Sequence, residues 1–571
     1  AGGDLGTAYK AFLGKPLDRL DGPMKVDGSA IFGIDVTRPG MVQAVVVRSP
    51  VRGGTVTSFD AATAVGALDV FAIETGVAVV APTYWQARRA ADSLQLEWAH
   101  GAFAEVTTSS LRRSYHAMAR QPGETLRSQG DAERALGRAP VALDATYELP
   151  YLSHTPMEPM NATAHVQDGR CEVWAPTQAP GIARAQVADA LGLDQRDVEI
   201  HTTMLGGGFG RRLVQDYAVE AARIAARVGK PVKVTWSRED DQNNDFYRPM
   251  AVSRVRGAVD AAGTPVAWSH HLVTQSILAD VGEDFIAALA PAGAPRPLAR
   301  FATKAAPAAF RRGVMVDQTA VEGAKELPYA IPHLRVAFTE AHSAVKAGFW
   351  RAVGHSHTAF VTESFLDELA HAGKQDPVAL RRRLLRDHPR HLRVLERVAS
   401  EAGWGSPLPA GVGRGVAVHA SFRSVCAQVI EASVEPASDG RGPGTIRIHR
   451  VVAALDCGRV VNPQLVRAQV ESAVVFGLSA ALRQQITFEA GRVQETNFHR
   501  YRLLRLHECP RIEVHLIDSE EDPTGVGEPP LPPVAGALGN ALFAATGRRL
   551  RRLPFELALA EPDLPATEPT P

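Results

Sequence analysis

The segment Leu205-Gly206-Gly207-Gly208-Phe209-Gly210-Arg211-Arg212 lies between a predicted strand, Val198–Met204, and a predicted amphipathic helix, Asp216–Val228. Consecutive glycines let the backbone adopt positive φ angles and approach a ligand closely. The N-terminus of a helix attracts anions, and two arginines add positive charge. The segment therefore predicts a loop that holds a phosphate or a pterin-like cofactor. A tight turn without a ligand is the alternative, because one glycine run is weak evidence.

Two common nucleotide-binding motifs do not fit this glycine run. A Rossmann fingerprint needs a glycine at the sixth position from Gly206, and Arg211 stands there. A P-loop needs Gly-Lys followed by Ser or Thr, which the run does not contain. An NAD-dependent dehydrogenase is therefore disfavoured. The sequence also contains no Gly-x-Ser-x-Gly elbow and no His-Glu-x-x-His motif.

The bulk properties of the chain exclude several classes of protein. Its 571 residues include 62 basic and 62 acidic side chains, and this zero net charge disfavours a nucleic-acid partner. Cys171, Cys426, Cys457 and Cys509 form no Cys-x-x-Cys pair, so the chain itself has no recognisable zinc or iron–sulfur site. The longest apolar stretch, Ala473–Leu482, is too short to cross a bilayer, so no transmembrane segment is expected.

Further motifs stand in a fixed order on both sides of the glycine run. They are Lys25–Asp35, His154–Pro159, Phe349–Ser356, Asp456–Pro463, Ala468–Glu471 and Gly525–Pro529. Together with the glycine run, they resemble the xanthine dehydrogenase/aldehyde oxidase family of molybdopterin-binding large subunits. Within that family they resemble the isoquinoline 1-oxidoreductase beta-subunit type, which is similar to FAD-independent aldehyde dehydrogenases. The resemblance covers nearly the whole chain, and several motifs in register are stronger evidence than one.

The resemblance implies an α+β fold, with a small hammerhead α/β domain followed by two elongated α+β molybdenum-cofactor-binding domains. We expect a lead-in segment over residues 1–24 and the hammerhead-like domain over residues 25–105. The two cofactor-binding domains are expected over residues 106–345 and 346–571.

The resemblance also implies that the chain is the catalytic subunit of a molybdenum hydroxylase. Such an enzyme oxidises an aldehyde or an N-heteroaromatic carbon with oxygen derived from water. Glu528 matches the family's catalytic base, which takes a proton from metal-activated water. From its local sequence alone, Glu528 would be a surface turn residue, and its place in the ordered motifs reverses that interpretation. A general base works best when burial raises its pKa.

The implied cofactor is molybdenum bound to molybdopterin cytosine dinucleotide, with the metal held by the pterin dithiolene and no protein side chain as a metal ligand. The residues implied to bind it are Gly207, Gly208, Phe209, Gly210, Arg211, Arg351, Gln469 and Gly527. The alternatives are a helix-capping or ion-paired role for Arg351 and an exposed helical position for Gln469.

The residues implied to line the substrate pocket are His154, Met157, Trp350 and Leu213. Leu213 stands where purine-oxidising members of the family carry an acid, so purine hydroxylation is not expected. The sequence His355-Ser356-His357 could offer two metal ligands, but hydrogen-bonded structural histidines are the favoured interpretation.

The resemblance implies several partners. Because this chain lacks suitably spaced cysteines, a separate small subunit is expected to carry [2Fe–2S] clusters. No flavin or nicotinamide motif is present, so a cytochrome c or a quinone is the expected acceptor. Two family segments, Met-Gly-Gln-Gly and Gly-Thr-Gly-Gly-Ser, do not occur in this sequence. We therefore expect another chain or segment to complete the cofactor site.

The expected location is the bacterial periplasm, either free or associated with the membrane through a partner, and the cytoplasm is the alternative. A second hypothesis for the function is a non-catalytic cofactor-binding or scaffold subunit of such a complex. Replacing Glu528 distinguishes it from the catalytic subunit.

Overall fold

The computed structural model describes residues 12–282, 308, 310, 315–436 and 444–557. Its first sheet is mixed, and its strands in spatial order are β10 (Val198–Thr202), β9 (Arg170–Ala175), β8 (Asn161–Gln167), β11 (Val232–Thr235), β1 (Val42–Val47), β4 (Gly76–Ala81) and β3 (Asp69–Ile73). Strand β4 is buried along its whole length, as expected for an apolar run that is covered on both faces. Because β1 pairs with β11, this sheet joins strands from both sides of residue 105. The domain limits given above stay a prediction.

Two further large sheets lie in the rest of the described chain. The strands of the second sheet are β6 (Glu124–Gln129), β14 (His333–Glu340), β13 (Pro265–Thr274), β12 (Ala251–Val259) and β7 (Val141–Leu149). The strands of the third sheet are β15 (Val412–Ser421), β16 (Ser424–Glu435), β17 (Thr445–Asp456) and β20 (Arg511–Leu516). Two small antiparallel pairs are β2 (Thr55–Asp60) with β5 (Gln95–Ala99), and β18 (Phe488–Glu489) with β19 (Arg492–Val493).

Helices cover these sheets. In chain order, those of the described residues are α1 (Gly22–Val26), α2 (Tyr84–Ser93), α3 (Thr108–Ala119), α4 (Ala132–Arg138), α5 (Pro180–Leu191), α6 (Asp216–Val228), α7 (Arg238–Asn243), α8 (His355–Ala372), α9 (Pro377–Leu384), α10 (Pro389–Glu401), α11 (Pro463–Leu482) and α12 (Pro533–Thr546). The expected α+β class is confirmed, and the helix predicted at Asp216–Val228 is observed with the same limits.

Helix α8 is the central helix of the main core. It packs against strands of both the second and the third sheet and against α12. Every residue from Ser356 to Ala370 is buried, as expected for a helix that is enclosed on all sides. Because its position is fixed along its whole length, α8 also fixes the loop that precedes it, residues 349–354.

Helix α11 is longer than the apolar stretch Ala473–Leu482 that the sequence analysis considered. Its 20 residues have a mean hydropathy of 1.4 and are long and apolar enough to cross a membrane by length and composition. Arg467 and Glu471 interrupt its apolar pattern in the sequence, which is why the whole helix was not recognised. Half of the apolar window is buried, and Val470 and Val474 belong to the main core, as in the core helix of a globular fold.

Candidate active site

The glycine run has a backbone that only glycine adopts easily. Gly207 and Gly210 have φ angles of 100° and 109°, and Phe209 also has a positive φ of 56°. A Cβ atom on Gly210 would lie 1.5 Å from the Phe349 carbonyl oxygen. Gly210 is therefore required both by its backbone angle and by direct packing against the loop 349–354.

The backbone amides of this run divide into two groups. Gly206 N–H donates to Glu158 Oε2 at 2.8 Å, and Gly210 N–H donates to Gln178 Oε1 at 3.2 Å. The described part of the chain provides no acceptor for the N–H groups of the three residues in between, 207–209. Consecutive free amides of this kind form a concave site for an anionic or acceptor-rich group. The run thus fits a phosphate-bearing pterin cofactor by its backbone donors.

Both arginines of the run are fully buried and are bound to other parts of the chain. Arg211 forms ion pairs with Asp216 at 2.8 Å and with Asp245 at 3.1 Å. Arg212 donates to the Gly207 carbonyl and to the Glu158 carbonyl, each at 2.7 Å. In this structure the two guanidinium groups support the loop from behind. Direct contact of Arg211 with the cofactor stays a prediction.

A buried carboxylate, Asp245, connects the glycine run to the loop 349–354. It accepts from the His154 backbone N–H at 2.7 Å and lies 3.0 Å from His154 Nδ1, while His154 Nε2 lies 2.9 Å from the Phe349 carbonyl oxygen. Burial opposes ionisation, but the neighbouring His154 and Arg211 hold the pKa of Asp245 well below its usual range. The network fixes the carbonyl against which Gly210 packs.

An aromatic stack forms a second connection between the two loops. The Phe476 ring of α11 is stacked on Phe209, with ring centroids 4.6 Å apart, and on Trp350, with centroids 4.9 Å apart. Such contacts are worth about 0.5–1.5 kcal/mol beyond the burial of area. The stack holds the glycine run, the loop 349–354 and α11 in one arrangement.

The loop 349–354 is strained immediately before α8. Ala352 and Val353 have φ angles of 71° and 47°, which non-glycine residues rarely adopt. Backbone strain of this kind costs of order 1–3 kcal/mol and concentrates at functional sites. The consequence here is that the Ala352 N–H points toward the turn Gly525–Glu528.

Glu528 is half-buried and is held by that amide. Its Oε1 accepts from Ala352 N at 3.0 Å. Burial raises the pKa of Glu528 above its usual value, and the Ala352 N–H and the Arg351 charge oppose this effect only in part. The carboxyl is therefore both oriented and biased toward taking up a proton, as a general base needs.

Arg351 clamps the turn that carries Glu528. Its Nε donates to the Gly527 carbonyl at 2.8 Å, and its Nη1 donates to Ser472 Oγ at 3.1 Å. Its Nη2 reaches the Gln469 carbonyl at 3.4 Å. Burial lowers the pKa of Arg351 to about 10, which leaves the group charged at neutral pH. Arg351 thus joins the turn to α11, which is a positioning role and neither helix capping nor an ion pair alone.

The predicted site residues do not all meet in one place. Gln469 is exposed on α11, and a Cβ atom on Gly527 would lie 3.5 Å from its Oε1, so these two residues adjoin the Glu528 turn. Trp350 is buried and donates its Nε1–H to Ser153 O at 3.2 Å. Leu213 is half-buried behind the run, and Met157 is 70% exposed. The pocket roles of His154, Met157, Trp350 and Leu213 stay predictions.

The sequence analysis missed four residues that build this site. Glu158 lies inside a segment that was recognised, and Gln178 lies just before the start of α5, so both carried a positional signal. Asp245 and Phe476 carried none, because their partners are far away in the chain. The histidines His355 and His357 form no joint metal site: His355 Nδ1 lies 2.9 Å from His419 Nε2, and His357 Nε2 lies 2.9 Å from the Ala320 carbonyl.

Comparison with known proteins identifies the family to which this chain belongs. The family model described as a molybdopterin cofactor-binding domain matches residues 116–286, and a second model of the same description matches residues 416–510. The chain is 30% identical to the membrane-bound aldehyde dehydrogenase [pyrroloquinoline-quinone] of Gluconacetobacter polyoxogenes, over 95% of this chain and 71% of that protein. The chain belongs to the molybdopterin-binding subunits of the xanthine oxidase family.

A second relative is similar in sequence, and a solved structure is similar in fold. The beta subunit of isoquinoline 1-oxidoreductase from Brevundimonas diminuta is 29% identical, over 96% of this chain and 69% of that subunit. The crystal structure of quinoline 2-oxidoreductase from Pseudomonas putida 86 has the same fold, with a TM-score of 0.75 and 13% identity over 95% of this chain and 97% of that chain. The predicted family is confirmed, and the chain is a subunit of a molybdenum-dependent oxidoreductase that binds a molybdopterin cofactor.

Proposed function

We propose that this chain is the catalytic subunit of a molybdenum hydroxylase that oxidises an aldehyde or an N-heteroaromatic compound, with Glu528 as its base. The observation that carries the proposal is the placement of Glu528. It is half-buried, it is held on the Ala352 amide in a strained loop, and its pKa is raised by burial. A purely structural turn residue would need none of these features.

The residues present fit a molybdopterin cofactor. The free N–H groups of residues 207–209 would hold acceptor groups of the pterin or its phosphate, and Gln469 would meet the cofactor at the far side of the Glu528 turn. The cytosine dinucleotide form is part of the proposal. When bound, the cofactor supplies an activated water and takes up two electrons from the substrate.

The chain's own residues then handle the proton. Glu528 takes up a proton that the water loses, and it can do so only while its carboxyl is ionised. Activity should therefore rise with pH through the raised pKa of Glu528. Arg351 keeps the Gly527 carbonyl fixed, so that the carboxyl keeps its orientation while its charge changes.

Substrate and partners follow from the same family. The names of the two related proteins specify an aldehyde and isoquinoline, and Leu213 disfavours purines because it offers no polar contact. All four cysteines are free thiols, and three of them are buried. We therefore propose that electrons leave through a small [2Fe–2S] subunit to a cytochrome c, in the periplasm.

Replacement of Glu528 by Gln tests the proposal. Glu528→Gln keeps the size and the hydrogen-bond acceptor but removes the base, so kcat should fall about 10²–10⁴-fold while molybdenum per chain stays at the wild-type level. Glu489→Gln, at an exposed position of the β18–β19 hairpin, is the matched control and should behave as wild type. Full activity in Glu528→Gln would leave only the non-catalytic, cofactor-binding role.

A further inference from the structure

The hairpin that joins β15 to β16 has a strained turn of two residues. Ser421 pairs with Ser424, and the residues between them, Phe422 and Arg423, have positive φ angles of 49° and 64°. Two-residue turns with positive φ at both positions favour Asn-Gly or Gly-Gly. A bulky residue with a positive φ is a genuine outlier, whereas glycine would adopt the same angles without strain. Phe and Arg are therefore unfavourable choices for this turn.

Burial does not explain why a phenylalanine occupies the strained position. Phe422 is 37% exposed, so a large part of its apolar surface faces solvent. Its ring lies beside the His355 ring in a tilted arrangement, with centroids 5.9 Å apart. Burial lowers the pKa of His355 to about 4, which keeps this neighbour uncharged. Strained backbone is concentrated at functional sites, and an accessible flat ring beside a neutral imidazole suits an aromatic ligand.

The hairpin is bound directly to the turn Gly525–Glu528. The Gly525 N–H donates to the Phe422 carbonyl at 3.3 Å, and the buried Ser424 Oγ donates to the Gly525 carbonyl at 2.6 Å. A Cβ atom on Gly525 would lie 2.9 Å from Phe422 Cβ. The hairpin and the turn are therefore in contact through both backbone and side chain.

Phe422 thus lies against both segments that hold the Glu528 carboxyl. Gly525 belongs to the turn that carries Glu528, and His355 follows the loop 349–354, whose Ala352 amide donates to Glu528 Oε1. A substrate that presents its reacting carbon to Glu528 extends over the residues that flank this carboxyl. An aromatic substrate can stack on an accessible phenylalanine ring, whereas a small aliphatic aldehyde has no ring to offer.

We propose that Phe422 is a specificity-determining residue that stacks on the ring of an N-heteroaromatic substrate, and that the site favours this class over aliphatic aldehydes. The proposal rests on the proposed function, because it takes Glu528 as the residue at which the substrate reacts. Phe422 contributes binding and orientation, and it takes no part in proton transfer.

Replacement of Phe422 by Gly tests the proposal without adding strain, because glycine adopts a positive φ easily. Isoquinoline is the aromatic probe and butyraldehyde is the aliphatic one, both with the assembled holoenzyme. Loss of the stacked ring should raise the Kd of isoquinoline, measured by calorimetry, roughly three- to tenfold. The ratio of kcat/KM for isoquinoline to that for butyraldehyde should fall by a similar factor.

Arg423→Gly is the matched control, because it relieves a positive φ at the next position of the same turn and leaves the ring of Phe422 in place. Its Kd for isoquinoline and its substrate ratio should stay at the wild-type values. If Phe422→Gly does not fold, Phe422→Leu keeps an apolar side chain without a flat ring and should show the same loss of preference.

The possible outcomes separate this proposal from the proposed function. An unchanged Kd for isoquinoline in Phe422→Gly, or an equal loss of kcat/KM for both probes, would overturn the role of Phe422. Failure of the wild-type enzyme to bind isoquinoline would overturn it as well. Glu528→Gln should bind isoquinoline as tightly as wild type without oxidising it. Activity that survives in Glu528→Gln refutes the proposed function itself.

Discussion

The glycine run and the turn Gly525–Glu528 both contact the loop 349–354, but they use their backbone and side chains in opposite ways. In the glycine run, the free backbone amides are available to a ligand and the side chains of Arg211 and Arg212 are buried behind the loop. In the turn, the Glu528 side chain takes the Ala352 amide, and the backbone is fixed from behind by Arg351. This difference fits the proposal that the glycine run holds the cofactor and that Glu528 performs the proton chemistry.

Both regions depend on the loop 349–354. Gly210 packs against the Phe349 carbonyl, and Glu528 bonds to the Ala352 amide. The two functions can therefore be separated by substitutions on either side of the loop, although the loop itself is shared. Four variants test whether cofactor binding and proton transfer are separated in this way.

The largest effect is expected from Gly210→Ala. The new Cβ would lie 1.5 Å from the Phe349 carbonyl oxygen at a φ of 109°, so the run must move and its amides lose their alignment. The molybdenum content per purified chain should fall at least about tenfold. A loss of only ~1.4 kcal/mol in the free energy of cofactor binding is enough for this change. Elemental analysis measures it. Gly229→Ala is the control, because it has a positive φ of 68° but open space around it, and it should keep its molybdenum.

A narrower effect, on catalysis alone, is expected from Arg351→Met, which frees the Gly527 carbonyl. A displacement of about 1 Å at Glu528 costs roughly 10²-fold in kcat. Loss of the neighbouring positive charge should also raise the pKa of Glu528 and move the acid limb to higher pH. Molybdenum content should stay near the wild-type level. Loss of molybdenum in this variant would instead indicate that Arg351 binds the cofactor directly. It would contradict the proposed separation of cofactor binding from proton transfer.

Phe476→Leu should moderately reduce both cofactor binding at the glycine run and catalysis at Glu528. The substitution removes the ring that stacks on Phe209 and Trp350. The free energy of unfolding should fall by about 1–2 kcal/mol, and molybdenum content and kcat should decrease together. Thermal unfolding with elemental analysis checks the result. A change in only one of the two properties would show that the stack supports one side alone.

The smallest effect is expected from Met157→Ala. The side chain is 70% exposed, so the free energy of unfolding should change by less than about 0.5 kcal/mol. If Met157 lines the substrate pocket as the sequence implies, KM should change while kcat and molybdenum content stay constant. Unchanged KM across aldehyde and N-heteroaromatic substrates would remove Met157 from the pocket.

The sequence predicted the local features of this molecule better than its contacts. The helix at Asp216–Val228 and the glycine run were recognisable because periodicity and backbone freedom are local properties. The inward turn of Arg211 was not predictable, because its partner Asp245 lies 34 positions away and carries no motif.

The arginine Arg351 shows the limit of a resemblance. The motif predicts a cofactor-binding residue at this position, and the structure shows that its donors are directed to the Gly527 carbonyl, Ser472 and the Gln469 carbonyl. A guanidinium group has several donors and no local rule that assigns their acceptors. Its role in orienting Glu528 therefore follows from tertiary packing.

The rate at which substrate reduces the bound molybdenum centre in a single turnover tests the central claim most directly. Wild type and Glu528→Gln would be compared at equal molybdenum content and at a pH above the acid limb. The account predicts a reduction about 10²–10⁴-fold slower in Glu528→Gln, with substrate binding unchanged. Reduction at the wild-type rate in that variant would contradict Glu528 as the base.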